Sequence, residues 1–542
     1  MTAPADLVLT NAEVHTLDSP DETYEALAVR DGELVRLCDA YEVEFLVGAE
    51  TEVLDCEGGV VLPGFVDAHT HLPMVGRRLV HADLSVADSP DEAVDLLRED
   101  TDAAADETKA AADDTDVTGQ GSDAVDATDW IQGFGYDESA WAESRYLTRT
   151  DLDAVSETRP VVAFREDMHT AGLNSVALDR LADGMPDDDV RTEGGDPTGV
   201  VVEEAVDAVW DAVEPDAAEM RSLVRAARDF AHEQGVTGVH DMVRNSEAPR
   251  VYRELDDSED LDLRVRINYW TDHLDALVDL GARTNHGSDL VRVGGVKSFT
   301  DGSFGGRTAK LSEPYADAGD ESEGGTDATG QWVVSPDNLA AYVARADDAG
   351  LQFTAHAIGD EAIRTVLGAY AGTGAPGEAR HRVEHAELLT DDLVERFADL
   401  GVVASVQPNF LKWAREGGLY DTRLGEERAR STNRYRDLLD AGVPLAFGSD
   451  CMPLGPLFGV RQAVTAPSEG QRLTVTEALR AYTRGAAYAG FDEDRLGTIT
   501  VGKRADLVVL DDSPWDVTPG TVDDVEVTHT LVDGEVVYRR DD

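Results

Sequence analysis

The chain is expected to be an α/β protein built on a (β/α)8, TIM-like barrel. A small composite β-sandwich comes from its two ends, and a subdomain is inserted after the first barrel strand. Three observations predict this. Eight short apolar runs, most followed by a helix-like or loop stretch, occupy the middle of the chain. Both ends instead read as short strands punctuated by turn residues. The first barrel run ends near residue 72 and the next begins near 236, a gap too long for a bare loop.

Taken in order, DLVLTNAEVHTL and ALAVRDGELVRL open the chain as strands, with Asp31-Gly32 a hairpin signal because both residues tolerate a left-handed backbone. Residues 1–62 are therefore the N-terminal part of the sandwich. Residues 491–542, with Asp533-Gly534 between two apolar runs, repeat that texture and supply the C-terminal part. VVLPGFVDAHTHL is the first barrel strand. Residues 81–219 form the inserted α/β subdomain, whose stretch 100–128 is low in apolar bulk and rich in Asp, Ala and Thr. Such a composition is expected to be a solvated, structureless excursion. Ordered texture resumes at WIQGFGYDESAW and PVVAFREDMHTAGLNSVAL. The barrel occupies 63–80 and 220–490, and VTGVHDM, DLRVRINYW, LVRVGGVKSFTDG, LQFTAHAIGD, HRVEHAEL, VVASVQPNF and VPLAFGSDCMP are its other strands. A Rossmann-like sheet supplies the same alternation, so the count alone leaves that architecture open.

With 542 residues, 42% of them hydrophobic, the chain has material for a large core. Its 110 acidic and 46 basic residues give a net charge of -64. An acidic surface of this kind repels nucleic acid and anionic membranes, so neither is expected as a partner. Self-repulsion at low salt points to a halophilic, salt-rich cytoplasm. The N-terminus lacks a basic, then apolar, leader pattern and no apolar run is long enough to span a bilayer, so a cytoplasmic enzyme acting on a small molecule is expected. Cys38, Cys56 and Cys451 lack paired spacing, which excludes a disulfide framework and a cysteine zinc knuckle.

His69 and His71 stand two apart at the end of a strand, share one face, and can bind one ion together. An isolated pair of this kind also occurs for structural reasons. Position strengthens it, since barrel active sites lie at the C-terminal ends of the strands. His356, His385 and Asp450 end three further apolar runs; each alone reads as a core histidine or a capping aspartate, and together they converge on one mouth. Lys297 is one of only five lysines and lies in an apolar strand. Burial favours its neutral amine, which can add carbon dioxide to give a carbamate able to bridge two cations. An ordinary salt bridge is the alternative.

The segments VLPGFVDAHTHL, GGVKSFTDGSFGGRTA, FTAHAIGDEA, HRVEHAEL and FGSDCMP resemble the metal-dependent amidohydrolase superfamily and, within it, the YtcJ-like branch that includes N-substituted formamide deformylases. The resemblance runs over nearly the whole chain; the acidic stretch has no counterpart. It implies a centre of two divalent ions, zinc, with His69, His71 and Asp450 on the first, His356 and His385 on the second, and carboxylated Lys297 between them. Hydroxide between the ions would attack a carbonyl carbon, Asp450 would move the proton to the leaving nitrogen, and a non-peptide C–N bond would break. A homodimer fits the same family. His169, Asn174, Asp301 and Arg307 are candidate substrate-binding or loop-ordering residues and His240 a candidate for the mouth, a structural role being the alternative for each; Glu384 is expected on the opposite face of its strand from His385, supporting a ligand from behind or serving structure alone. Two alternatives stay open: a mononuclear deaminase, which needs no strand-end lysine but normally has a glutamate after the fifth-strand histidine, and a non-catalytic scaffold, which would lack ligands.

Overall fold

The computed structural model describes residues 3–113, 130–138, 141–166, 168, 170–318 and 328–540. They fall into two compact units. Met1–Leu72, Arg228–Asn245 and Tyr252–Asp542 form the first, and Pro73–Ala227 with Ser246–Val251 the second.

The first unit contains an eight-stranded parallel sheet whose members neighbour one another in chain order. They are β1 (Phe65–Thr70), β2 (Val236–Val243), β3 (Arg264–Trp270), β4 (Val291–Phe299), β5 (Gln352–Ala357), β6 (Arg382–His385), β7 (Val403–Val406) and β8 (Leu445–Phe447). Apolar residues fill these strands because both faces are covered, as in other all-parallel sheets. The sheet closes on itself as a (β/α)8 barrel. At the seam, the His69 carbonyl accepts the backbone N–H groups of Ser449 (3.2 Å) and Asp450 (2.7 Å). Buried Asp67 ties the same seam by accepting the N–H groups of His69 and Ser449, each at 3.0 Å. A Cβ at Gly448 would lie 2.4 Å from the His69 nitrogen, so this close approach requires glycine.

The two chain ends meet in one sandwich within that unit. One sheet runs Glu33–Cys38, Ala26–Arg30, Leu7–Thr10, Glu52–Asp55; the other runs Glu535–Arg539, Val527–Val532, Leu507–Leu510, Val60–Pro63, Glu13–His15, Thr23–Tyr24. The N- and C-terminal parts join where Val60–Pro63 pairs antiparallel with Leu507–Leu510. Asp31, Gly32, Asp533 and Gly534 all have φ between 50° and 79°, the left-handed pair that a two-residue hairpin turn demands. Sandwich and barrel are locked by Arg264 at the start of β3, whose guanidinium donates to both oxygens of Asp506 (2.5 and 2.7 Å) and to Asp533 (2.8 Å).

The second unit is a mixed six-stranded sheet in the order Val190–Glu193, Asp196–Val202, Thr170–Leu173, Val161–Arg165, Ile131–Tyr136, Ala82–Asp83. Phe134, Phe164 and Trp210 stack through its core, and Trp130 and Trp141 are buried there as well. A helix over Pro90–Asp113 continues into the acidic stretch expected to be structureless. Its alanines carry high helix propensity, which outweighs the shortage of apolar bulk; residues 114–129 lie outside the described ones. Among the described residues no helix is long and apolar enough to cross a membrane.

Candidate metal centre

The C-terminal ends of β1, β4, β5, β6 and β8 bring six of the predicted side chains to one rim. His69, next to last in β1, and His71, just beyond it, share a face as the strand period requires, with ring centroids 5.9 Å apart. The Nδ1–H of His71 donates to the Met242 carbonyl on β2 (2.9 Å), which turns its Nε2 to Asp450 Oδ1 at 3.4 Å. His69 Nδ1 bonds Glu384 Oε2 (2.5 Å), and its Nε2 lies 3.3 Å from Lys297 Nζ and 3.7 Å from Asp450 Oδ1. The His385 ring is 4.9 Å from that of His69 and 4.5 Å from that of His356. One ligand atom each of His69, His385 and Asp450 lie within 4.8 Å of one another.

Two buried nitrogens in this cluster, Nδ1 of His356 and Nδ1 of His385, have no hydrogen-bond partner among the described residues. His356 uses its other nitrogen to donate to the Gly302 carbonyl at 3.1 Å. Orphaned buried imidazole nitrogens beside a carboxylate are a donor set that suits zinc and related divalent ions. Burial first, and the Lys297 cation second, depress His69 to about 4 and His356 to about 3. Both rings are therefore neutral and able to act as ligands near neutral pH. Burial works against the Asp450 carboxylate, but the bond from His71 and the surrounding histidines outweigh it and hold the group well below the usual carboxylate range.

Lys297 is fully buried, and no carboxylate among the described residues is within ion-pair distance of it. Burial lowers its ammonium to about 8, which leaves about a tenth of the molecules with a free amine at pH 7. The rings of Trp270 and Phe299 stand 5.8 and 5.6 Å from its nitrogen, and Phe299 stacks on His356 at 4.0 Å. Neither aromatic residue is marked by any pattern beyond its place at a strand end.

The second group of predicted residues is scattered. Asp301 is buried and accepts the N–H groups of Lys310 (2.8 Å), Ile358 (3.1 Å) and Gly359 (2.9 Å), clasping the loops after β4 and β5. Burial raises its carboxyl to about 7 against those bonds, and its Oδ1 lies 3.6 Å from His356 Nε2. Arg307 is exposed and pairs with Asp317 at 2.8 Å. Asn174 lies in the other unit, capping the helix Ser175–Leu181 and using all of its amide on backbone groups. His169 lies outside the described residues. His240 is buried against Arg382, at 2.8 Å, in the packed layer that holds Glu384.

Glu384 and His385 do not alternate. His385 has φ 71° and Ala386 φ 45°, so the strand breaks its two-residue period at its last position and both side chains enter the barrel. Asp450 is likewise left-handed, at φ 53°. Sequence reasoning missed Arg382, a fully buried arginine in a residue class that is mostly exposed. Its place two residues before Glu384, on the same strand face, was the available signal.

The comparisons with known proteins agree with this architecture. A family model described as the amidohydrolase family matches residues 52–538. The putative amidohydrolase YtcJ of Bacillus subtilis (strain 168) is 29% identical over 555 residues, covering 97% of this chain and 98% of that protein. An N-substituted formamide deformylase of Arthrobacter pascens is 29% identical over 572 residues, covering 100% and 99%. The crystal structure of an uncharacterized metal-dependent hydrolase from Pyrococcus furiosus matches with a TM-score of 0.76 at 30% identity, covering 94% of this chain and 100% of that one. A barrel whose rim gathers histidines, an aspartate and a lysine, matched to one family over most of its length, makes this chain a member of the amidohydrolase family of hydrolases.

Proposed function

We propose that the chain hydrolyses a non-peptide amide or N-substituted formamide at a centre of two divalent cations. The observation that supports this most is the convergence of His69, His385 and Asp450 within 4.8 Å, with Lys297 Nζ 3.3 Å from His69. His69, His71 and Asp450 would hold one ion, His356 and His385 the other, and Lys297 would lie between them. Zinc ions bound there supply Lewis acidity, which lowers the pKa of water towards neutrality and polarises a carbonyl oxygen. The Lys297 ammonium would first lose one proton; the neutral amine then adds to carbon dioxide, forming an N–C bond, opening one C=O π bond and releasing a second proton, so that a carbamate anion stands where the ammonium stood. Asp450 Oδ1, facing His71 Nε2, accepts the proton of the attacking water and returns it to the leaving nitrogen. The same reading carries a small-molecule substrate, a salt-rich cytoplasm and a homodimer.

A mononuclear deaminase has less support. Asp360, the first carboxylate after the fifth-strand histidine, is occupied by the N–H (2.9 Å) and hydroxyl of Ser312, and Glu361 faces Arg364 in a partly exposed pair at 3.7 Å. Asp360 is thus engaged by Ser312, and Glu361 lies in a half-exposed pair on its helix. The test is metal content together with hydrolysis of a panel of N-substituted amides and formamides in high salt. Two ions per chain, activity lost to a chelator and restored by zinc, and a kcat about 10²–10⁴ lower in Asp450→Asn are expected. One ion per chain with ammonia release, or a fully loaded protein inert to every amide, refutes the proposal.

A further inference from the structure

Beneath the rim lies a buried polar strut that the chemistry above does not use. Arg382 and Glu384, two apart on β6, point into the barrel, and neither is more than 1% exposed. The guanidinium donates from Nε to Glu384 Oε1 (2.8 Å), to His240 Nδ1 on β2 (2.8 Å), to the Ala68 carbonyl on β1 (2.5 Å) and to Ser405 Oγ on β7 (2.8 Å). The Thr354 hydroxyl on β5 donates to the same Oε1. Oε2 is left for one partner, His69 Nδ1, at 2.5 Å. Arg382 and Glu384 thus join five of the eight strands and end on one ring nitrogen of one predicted ligand.

We propose that Glu384, held by Arg382, is a positioning residue that fixes His69 in the tautomer with its proton on Nδ1 and its Nε2 lone pair turned to the centre. The inference rests on the metal-centre reading for its purpose but not for its geometry. A carboxylate is an acceptor only, so Nδ1 has to be the donor, and a neutral imidazole then has a bare Nε2. The Nε2 atom is the one facing Lys297 and Asp450. Glutamine in place of Glu384 keeps the shape and removes this constraint. Its single oxygen goes to Arg382 and Thr354, its NH2 faces His69, and Nδ1 has to accept. The proton then moves to Nε2, where it blocks the lone pair.

The experiment is nitrogen NMR of [15N]histidine-labelled, metal-free full-length protein, with His69→Gln used only to assign the His69 signals. Protonated Nδ1 and bare Nε2 are expected in the wild type, and the reverse in Glu384→Gln. Zinc affinity, read by chelator competition, is expected to fall about 10–100-fold in Glu384→Gln and to return in part in Glu384→Asp, which keeps the charge and both oxygens. A wild-type His69 with bare Nδ1, or with both nitrogens protonated, overturns the proposal, as does wild-type zinc affinity in Glu384→Gln. If Glu384→Gln does not fold, the wild-type tautomer and Glu384→Asp decide the matter. Failure of the wild type to take up zinc overturns the metal centre instead, while the tautomer result still judges the strut.

Discussion

Arg264→Met tests how the sandwich is held to the barrel. The Arg264 side chain is 6% exposed and that of Asp506 4%, and the guanidinium spans both carboxylate oxygens. Removing it leaves Asp506 charged and buried, with the Asp533 N–H at 3.0 Å as its remaining partner among the described residues. Breaking a buried pair from one side costs about 3–5 kcal/mol, against about 0–1 kcal/mol for an exposed pair. A pair this enclosed is also poorly screened, so the loss should be nearly the same in moderate and in high salt. Urea unfolding at fixed salt, read as midpoint and slope, measures it. Adding Asp506→Asn removes the stranded charge and should recover about half of the loss. A single variant that loses less than about 1 kcal/mol, or a double variant no better than the single, refutes the reasoning.

Three further outcomes are expected. His81 is half-buried and lowered to about 4, by desolvation and then by the Arg77 cation; its unfolded value is about 6.5, so the unfolded chain takes the proton first. The stability it contributes is complete above about pH 6.5 and is lost as pH falls through 4, by about 3 kcal/mol in all; His81→Leu should flatten the stability curve across that window, and an unchanged slope in urea unfolding would refute this. Asn174→Ala strips four backbone partners, one of them the helix cap, so it should cost about 2–4 kcal/mol with KM unchanged; a tenfold rise in KM at full folding would instead give Asn174 a place at the substrate. With a net charge of -64, the thermal midpoint should fall as salt is lowered from about 1 M to 0.1 M, where the screening length grows from about 3 to 10 Å; a midpoint indifferent to salt would count against a halophilic surface.

The barrel was legible because each of its strands is an apolar run and because side chains capable of chemistry end five of them, the arrangement expected at the C-terminal mouth of a parallel barrel. The Asp-Gly pairs disclosed the sandwich hairpins through backbone chemistry alone. Glu384 was assigned to the wrong face because alternation presumes extended backbone, and His385 at φ 71° is not extended. A local strand rule cannot register that break, since the tertiary site imposes it. Asn174 carried a readable signal, an amide directly before SVALDRL at a helix start. The partner of Arg382 was two residues away, but the destination of its other donors lay on strands far apart in the chain.

The seam at His69 carries a consequence for biosynthesis. The bonds that shut the cylinder end on the same short stretch that supplies the first histidine, and the residues that reach it are Ser449 and Asp450. A polypeptide still lacking those two positions has neither a closed wall nor a complete set of donors. The strand Val60–Pro63, internal to its sheet, waits longer still for one of its two neighbours, Leu507–Leu510. If the proposed site is right, a fragment cut before Asp450 lacks both the bonds that shut the barrel at His69 and one of the proposed donors.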